Sequence, residues 1–324
     1  MSSRLASPGV LTAGAATFSV LAWASAFVSI RSAGAAYSPG ALALGRLLAA
    51  SLVLFTLVAI RREGLPPRGA RRGILVSGVV WFGGYMVALN WGERLVDAGT
   101  AALLVNVGPI LMALLAARLL GEALPPRLLA GMAVSFGGAV VVGLSQSSGS
   151  SGHEGGTSVL GVALCLLAAL AYATGVVAQK PALAYGTPLQ ITAYGCLVGT
   201  VACLPFAGQL ATELPKAPAS ATLNMLYLGV VPTALAFTTW TYALARMPAS
   251  RLGATTYAVP AIVVLLSWAF LDEVPVWLTL LGGVLCLAGV AVSRSRPRPS
   301  RAPAPQSAEP EPDPEPEPEA ADAP

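Results

Sequence analysis

The sequence predicts an all-α integral membrane protein of ten transmembrane helices, built as two inverted five-helix repeats with both termini in the cytoplasm. Three observations lead there. Of its 324 residues, 55% are hydrophobic and 10% charged, with a mean hydropathy of +0.71, more apolar surface than a soluble core of this size buries. Runs long enough to cross about 30 Å of hydrocarbon, roughly 17 to 25 helical residues each, recur along the whole chain. Landmarks of the first half also return in the second at a nearly constant offset.

The runs fall in order at 10–30, 39–60, 73–91, 98–120, 127–144, 158–179, 188–207, 222–245, 251–271 and 276–293. The first ends in Ala-Trp-Ala-Ser-Ala, which could pass for a signal-peptide cleavage site, but it has a partner in the second half and is read as retained. The first repeat covers 10–144 and the second 158–293, joined by a Ser/Gly-rich linker at 145–157 that is external and flexible by composition. From 294 onward, proline alternates with acid and no apolar content remains to bury, so 294–324 is expected to be a solvated, disordered cytoplasmic tail.

Orientation follows from the loops, because cytoplasmic loops carry an excess of Lys and Arg. Alternate loops place Arg4, the five arginines of 61–72, Arg118, Arg127, Lys180, Arg246, Arg251 and four arginines after Ser293 on one side, fifteen in all, against Arg31, Arg94 and Lys216 on the other. Both termini are therefore expected inside. The net charge of +4 says little, since seven of the 15 acids lie between Glu309 and Asp322.

The internal repeat gives the second half its register. Gly108-Pro109 followed by Glu122 returns as Val259-Pro260 followed by Glu273, an offset of 151 that also pairs Gly131 with Gly282, Gly138 with Gly289, Gly78 with Gly229 and Trp91 with Tyr242. Near the start of each half the offset is 149, pairing Trp23 with Tyr172, Ser25 with Thr174, Arg31 with Lys180 and Pro39 with Pro188. Five spans per repeat is an odd number, so the second half enters the membrane upside down relative to the first. That topology is typical of secondary transporters with a site near the midplane. It sets Glu122 at the cytoplasmic surface and Glu273 at the outer one.

The duplicated Pro-x13-Glu followed by a Gly-rich span, with Trp-Ala-Ser-Ala-Phe in the first helix and Gly-Arg-Leu-Leu-Ala-Ala in the second, resembles the EamA family of the drug/metabolite transporter superfamily, over about residues 10 to 293. The resemblance implies a ten-helix exporter or permease for amino acids or other metabolites, and names no substrate. Two departures from internal symmetry stand out. Gly195 occupies the position of Arg46, and Asp272 precedes Glu273 where the first repeat has Gly121.

Candidate site residues follow from cost. Arg46, seven residues into the second helix, is the only charge well inside a span, where arginine is expensive unless it faces a partner or a wet cavity. It either presents a guanidinium to a substrate carboxylate or phosphate or snorkels to the outer interface. Pro109 and Pro260 remove a backbone donor near mid-depth, and matched interruptions point to a transporter site. Asn106 and Tyr257 stand three residues upstream of them, and a purely structural kink is the alternative. Trp23, Ser25, Tyr172, Thr174, Trp81, Tyr85 and Trp240, with Thr238 and Thr241, are expected to line a cavity for an amphiphilic metabolite. Trp91, Trp277 and Trp268 suit the headgroup belt instead. Glu122 and Glu273 sit at helix ends, where each caps or pins a loop in a structural or gating role. Gly131, Ser135, Ala139 and Gly143 form a small-residue stripe for close helix packing, within a monomer or a homodimer.

Other chemistry is poorly supplied. Cys165, Cys196, Cys203 and Cys286 lie in apolar runs without a CxxC pair, and the single histidine, His153, sits in the linker, so no metal, cofactor or catalytic residue is expected. The expected partners are the bilayer and a small molecule, not nucleic acid. No acid lies deep in a span, Glu93 falling just past the third helix beside Arg94 and Asp97, which disfavours a proton antiporter of cationic drugs. A facilitator or exchanger for a neutral or zwitterionic metabolite fits better, with multidrug efflux as the alternative. A membrane-embedded sensor or enzyme lacks both an output domain and a catalytic constellation.

Overall fold

In hydrocarbon no water is available to a backbone N–H or C=O, so each apolar run satisfies its own polar groups as a helix. The computed structural model describes residues 8–96, 104–147, 158–271 and 277–294, and among these the regular structure is entirely helical. In chain order the helices are α1 Pro8–Gly34, α2 Pro39–Ile60, α3 Arg68–Leu95, α4 Gly108–Leu120, α5 Pro126–Ser147, α6 Val159–Ala182, α7 Pro188–Ala202, α8 Ala219–Leu244, α9 and α10 Trp277–Arg294. Two of these need more description. After a 51° bend, α7 is followed by Leu204–Glu213. Helix α9 opens as Ala249–Ala254, tightens to a 3₁₀ turn at Thr255–Tyr257 and continues as Ala258–Leu271. Among the described residues, six helices are long and apolar enough to cross a membrane, seven if the bent pair is one span, and α4, α5 and α10 are shorter apolar helices.

Local chemistry sets the ends. Pro39 and Pro188 occupy first-turn positions where a missing N–H costs nothing. The hydroxyls of Ser158 and Thr187 accept from Gly161 and Gln190 at 3.4 and 3.1 Å as N-caps. Gly121, at φ 66°, closes α4 in the left-handed conformation glycine adopts without strain. The outer surface is correspondingly apolar, with Leu52 73% and Val159 84% exposed.

Several sequence expectations shift. Helix α3 runs to Leu95, so Glu93 belongs to its last turn instead of following it. Helix α5 continues to Ser147, into the first residues of the Ser/Gly-rich stretch. Glu273, His153, Asp97, residues 98–103 of the fourth run and the acidic tail lie outside the described residues, as do the side chains of Arg31, Trp268 and Gly143.

Helix contacts come in mirrored sets. Helix α1 packs on α8 as α6 packs on α3, α1 on α9 as α6 on α4, and α2 on α8 as α7 on α3. Helices α5 and α10 run antiparallel about one point: the Ser135 hydroxyl donates to the Cys286 carbonyl at 3.0 Å while the Cys286 thiol returns to the Ser135 carbonyl at 3.5 Å. On either side of that point, a Cβ on Gly131 would lie 2.5 Å from the Gly289 carbonyl and one on Gly138 2.6 Å from that of Gly282. The small-residue stripe of α5 therefore serves packing inside the monomer. Helices α2 and α7 cross similarly, where Ser51 meets Thr200 at 3.0 Å and the Cys196 thiol meets the Leu47 carbonyl.

Candidate functional site

Arg46 turns inward. Its residue is 6% exposed, and Nε and Nη2 both donate to the Thr233 hydroxyl, at 3.2 and 3.0 Å, near the middle of α8. Snorkelling to an interface is thereby excluded in this conformation. Thr233 can accept twice because its own proton goes to the Leu228 carbonyl at 2.7 Å. That carbonyl stands four residues before Pro232, which has no N–H to offer it. Tyr85, Cys196 and Glu93 lie near Arg46.

The turn holding Thr233 is one of a pair. Both α3, at Gly78–Tyr85, and α8, at Gly229–Leu235, widen to π-helical geometry, a distortion common at functional sites. The two segments are related by the 151-residue offset. Each also lies against the backbone of the other half: a Cβ on Gly229 would sit 2.6 Å from the Arg46 carbonyl, and one on Gly78 would sit 2.8 Å from the Gly195 carbonyl. Sequence reasoning noted the Gly78/Gly229 pair but missed Pro232 and Thr233. The available signal was a proline three residues past a repeat-matched glycine. Pro109 and Pro260, by contrast, sit where helix restarts, after the turn at Asn106 and Val107 and after the 3₁₀ turn ending at Tyr257. They begin helical segments and do not kink continuous ones.

The predicted aromatic residues converge, but mostly on each other. Trp81 packs against Phe82, Tyr172 and Phe237, with ring centroids 5.6, 5.8 and 4.6 Å apart, and Trp23 packs against Trp240 at 4.7 Å. Trp81 and Trp240 are fully buried, so they form packed walls and not open faces. Trp23 donates to the Pro232 carbonyl at 3.0 Å, and the Ser25 hydroxyl meets the Tyr227 hydroxyl at 2.7 Å. Thr174 is half-buried, as is Asn106 in its turn. Thr238 bonds back to the Ala234 carbonyl, and Thr241 joins Thr192 and Gln179. Trp91 and Trp277 are exposed near helix ends.

Next to these walls, polar groups stand buried without hydrogen bonds among the described residues: the hydroxyls of Tyr172 and Tyr257, Trp240 Nε1 and Gln179 Nε2. The Tyr172 ring lies 6.1 Å from that of Tyr85, and Tyr172 is near Tyr257 and Thr256, though the contact with Thr256 falls short of hydrogen-bond geometry. Each such orphan costs about 1–3 kcal/mol, so a ligand or a second conformation that satisfies them gains that much. Arg46, Tyr85, Tyr172 and Tyr257 thus bring polar groups from α2, α3, α6 and α9 into one neighbourhood.

One end of the bundle is pinned by charge. The Glu122 carboxylate accepts from the Ala249 and Ser250 amides at 2.7 and 2.9 Å and from the Ser250 hydroxyl at 2.7 Å, capping α9. Lys180 Nζ donates to the Leu244 carbonyl at 2.7 Å and to that of Met247, at the C-terminal end of α8. Each charge has the sign its helix end favours, and together they hold both sides of the α8–α9 turn.

A multi-pass helical membrane protein with an inward arginine and repeat-matched helix interruptions has the architecture of a transporter. The chain belongs to the EamA-like transporter family, whose model matches residues 10–144 and 159–295. It is 36% identical over 283 residues to the "Probable terminal-alkyne amino-acid exporter" of Streptantibioticus cattleyicolor, covering 85% of this chain and 91% of that one. It is 31% identical over 84% of its length to the "Uncharacterized transporter YdfC" of Bacillus subtilis, 87% of which is matched. With the "Probable amino-acid metabolite efflux pump" of Escherichia coli it shares 25% identity over 64% of this chain and 69% of that one. A crystal structure titled "Crystal structure of protein" superposes with a TM-score of 0.72 at 23% identity, over 89% of this chain and 97% of the other, which speaks to fold alone. The protein is accordingly a transporter and not an enzyme.

Proposed function

We propose that this protein is a secondary transporter of the cell membrane that exports an amino acid or a closely related carboxylate by alternating access, through ten spans in two inverted repeats. The observation that carries the substrate class is Arg46: a buried guanidinium, steadied on one edge by Thr233, keeps its remaining donors for an anion. The names of the relatives from S. cattleyicolor and E. coli point the same way. The mirrored helix contacts and the antiparallel α5–α10 crossing about Ser135 and Cys286 support the inverted repeat. The arginine-rich loops support cytoplasmic termini. In this reading Tyr85, Tyr172, Asn106 and Tyr257 surround the bound substrate, and Glu122 closes the cytoplasmic end. Multidrug efflux fits less well, because Trp81 and Phe82 pack on each other and on Phe237, Trp240 packs on Trp23, and the buried rings of Trp81, Phe82 and Trp240 offer no open aromatic face.

The test is transport in proteoliposomes of a panel of proteinogenic amino acids, each against its carboxamide. Saturable movement of at least one acid, with its amide carried poorly, is the expected result. Equal transport of acid and amide removes the carboxylate from recognition. No movement of any panel member by folded protein rejects the amino-acid assignment.

A further inference from the structure

We propose that Thr233 is a positioning residue for carboxylate recognition, so that the anion site is assembled from α2 of one half and the opened turn of α8 of the other. This rests on the reading of Arg46 given above and adds to it a residue, a geometry and a route by which binding reaches α8.

Guanidinium offers two bidentate edges, one made by Nε with Nη2 and one by the two Nη groups. Thr233 takes the first edge, at 3.2 and 3.0 Å, which aims the second along the continuation of the side chain. A hydroxyl holds a guanidinium only if its own proton is committed elsewhere, since it must present lone pairs. Here the Leu228 carbonyl takes that proton at 2.7 Å, and that carbonyl stands where Pro232 supplies no amide. The turn is also seated on the arginine's own backbone, because Gly229 leaves room for the Arg46 carbonyl at its Cα. Proline, threonine and glycine in one turn therefore locate one charge.

The other half of the molecule supplies an internal control. At the positions equivalent to Arg46 and Thr233 it carries Gly195 and Phe82, and these also face each other, a Cβ on Gly195 lying 3.2 Å from the Phe82 ring. The charge and its acceptor are missing together, and an apolar ring fills the space. Arg46 and Thr233 thus differ from their repeat mates as a unit, which a hydroxyl placed only to cap a helix turn does not require.

The experiment uses the full chain in nanodiscs and proteoliposomes. With arginine labelled by ¹⁵N, the Arg46 Nε–H resonance is assigned by its loss in Arg46→Lys. In Thr233→Val it is expected to shift and to exchange faster with water, and in Thr233→Ser to stay near its original position. In parallel, Thr233→Val is expected to raise the KM of transported amino acids roughly tenfold, the scale of a lost hydrogen bond to a charged group, with the carboxamides little affected and Thr233→Ser restoring selectivity. Thr233→Ala replaces valine if that variant does not fold. An unmoved resonance, or a changed resonance with unchanged acid-over-amide selectivity, overturns the assignment. If Arg46→Ala abolishes acid selectivity while Thr233→Val leaves it intact, only the role of Thr233 falls. If Arg46→Ala also leaves selectivity intact, the reading beneath it falls as well.

Discussion

An arginine seven residues into an apolar helix keeps its charge solvated either by reaching the headgroups or by finding polar atoms inside the bundle. The Thr233 contact selects the second course and separates stability from function in a measurable way. Burying a charge against a neutral hydroxyl does little for stability, and an apolar side chain of similar size is often tolerated as well or better. Arg46→Met is therefore expected to melt within a few degrees of the parent in detergent, or above it, while losing at least about tenfold in transport of amino acids. Arg46→Lys is expected to fall between, because a single ammonium cannot engage both Thr233 and a carboxylate through paired donors. A large drop in melting temperature with Arg46→Met would mark the residue as structural. The arginine itself was legible in the sequence, since charge in an apolar run stands out; its acceptor was not. A threonine in a helix reads as neutral until the proline beside it is seen to free a carbonyl, and only the fold says that α2 passes at that height.

At the scale of helices, the α5–α10 crossing shows what hydropathy resolves and what it misses. The four-residue spacing of Gly131, Ser135 and Ala139 marks a close-packing face, yet nothing in that spacing names the partner, which the repeat supplies as Gly282, Cys286 and Gly289, the equivalents of Gly131, Ser135 and Gly138. Two adjacent glycines test this. Gly138 lies against the α10 backbone, so an added Cβ would sit 2.6 Å from the Gly282 carbonyl, whereas Gly137 has nothing within 4 Å. Gly138→Ala is expected to destabilise by about 1–3 kcal/mol through overpacking. Gly137→Ala is expected to stabilise by up to about 1 kcal/mol, as alanine replaces glycine in an open helical position. Equal melting shifts for the pair would contradict the close approach of α10. The interrupted helices teach the converse lesson: Pro109 and Pro260 announced breaks that turned out to be helix starts, while the paired widening of α3 and α8 left no hydropathy signature. Pro232→Ala, which returns an amide to the Leu228 carbonyl, is accordingly expected to weaken acid-over-amide selectivity in the same direction as Thr233→Val, but by less.

Alternating access through two inverted halves requires that whatever shuts one end have a counterpart at the other. At the described end, Glu122 caps α9 and Lys180 caps α8 across one turn. The repeat maps these two residues onto Glu273 and Arg31, whose carboxylate and guanidinium lie outside the described set. If the halves are inverted, the two clamps belong to opposite faces and must act on the conformational equilibrium with opposite sign. Replacing a carboxylate that accepts from two amides and a hydroxyl by its amide is expected to cost the closed end about 1–3 kcal/mol, a shift of roughly 5- to 150-fold in population. Reporter cysteines read that shift against a quiet background, because the four native cysteines are buried. Ser151→Cys in the linker and Ser307→Cys in the tail first establish the sides, with only the former expected to react with an impermeant maleimide added to intact cells. Ala254→Cys, buried just inside the Glu122 clamp, is then expected to label faster in Glu122→Gln when maleimide is supplied from the cytoplasmic side of inverted vesicles. It is expected to label more slowly in Glu273→Gln, where the outer face opens instead. Parallel changes in the two variants would mean that Glu122 and Glu273 are ordinary helix caps, and that the symmetry of the halves does not extend to how the transporter opens.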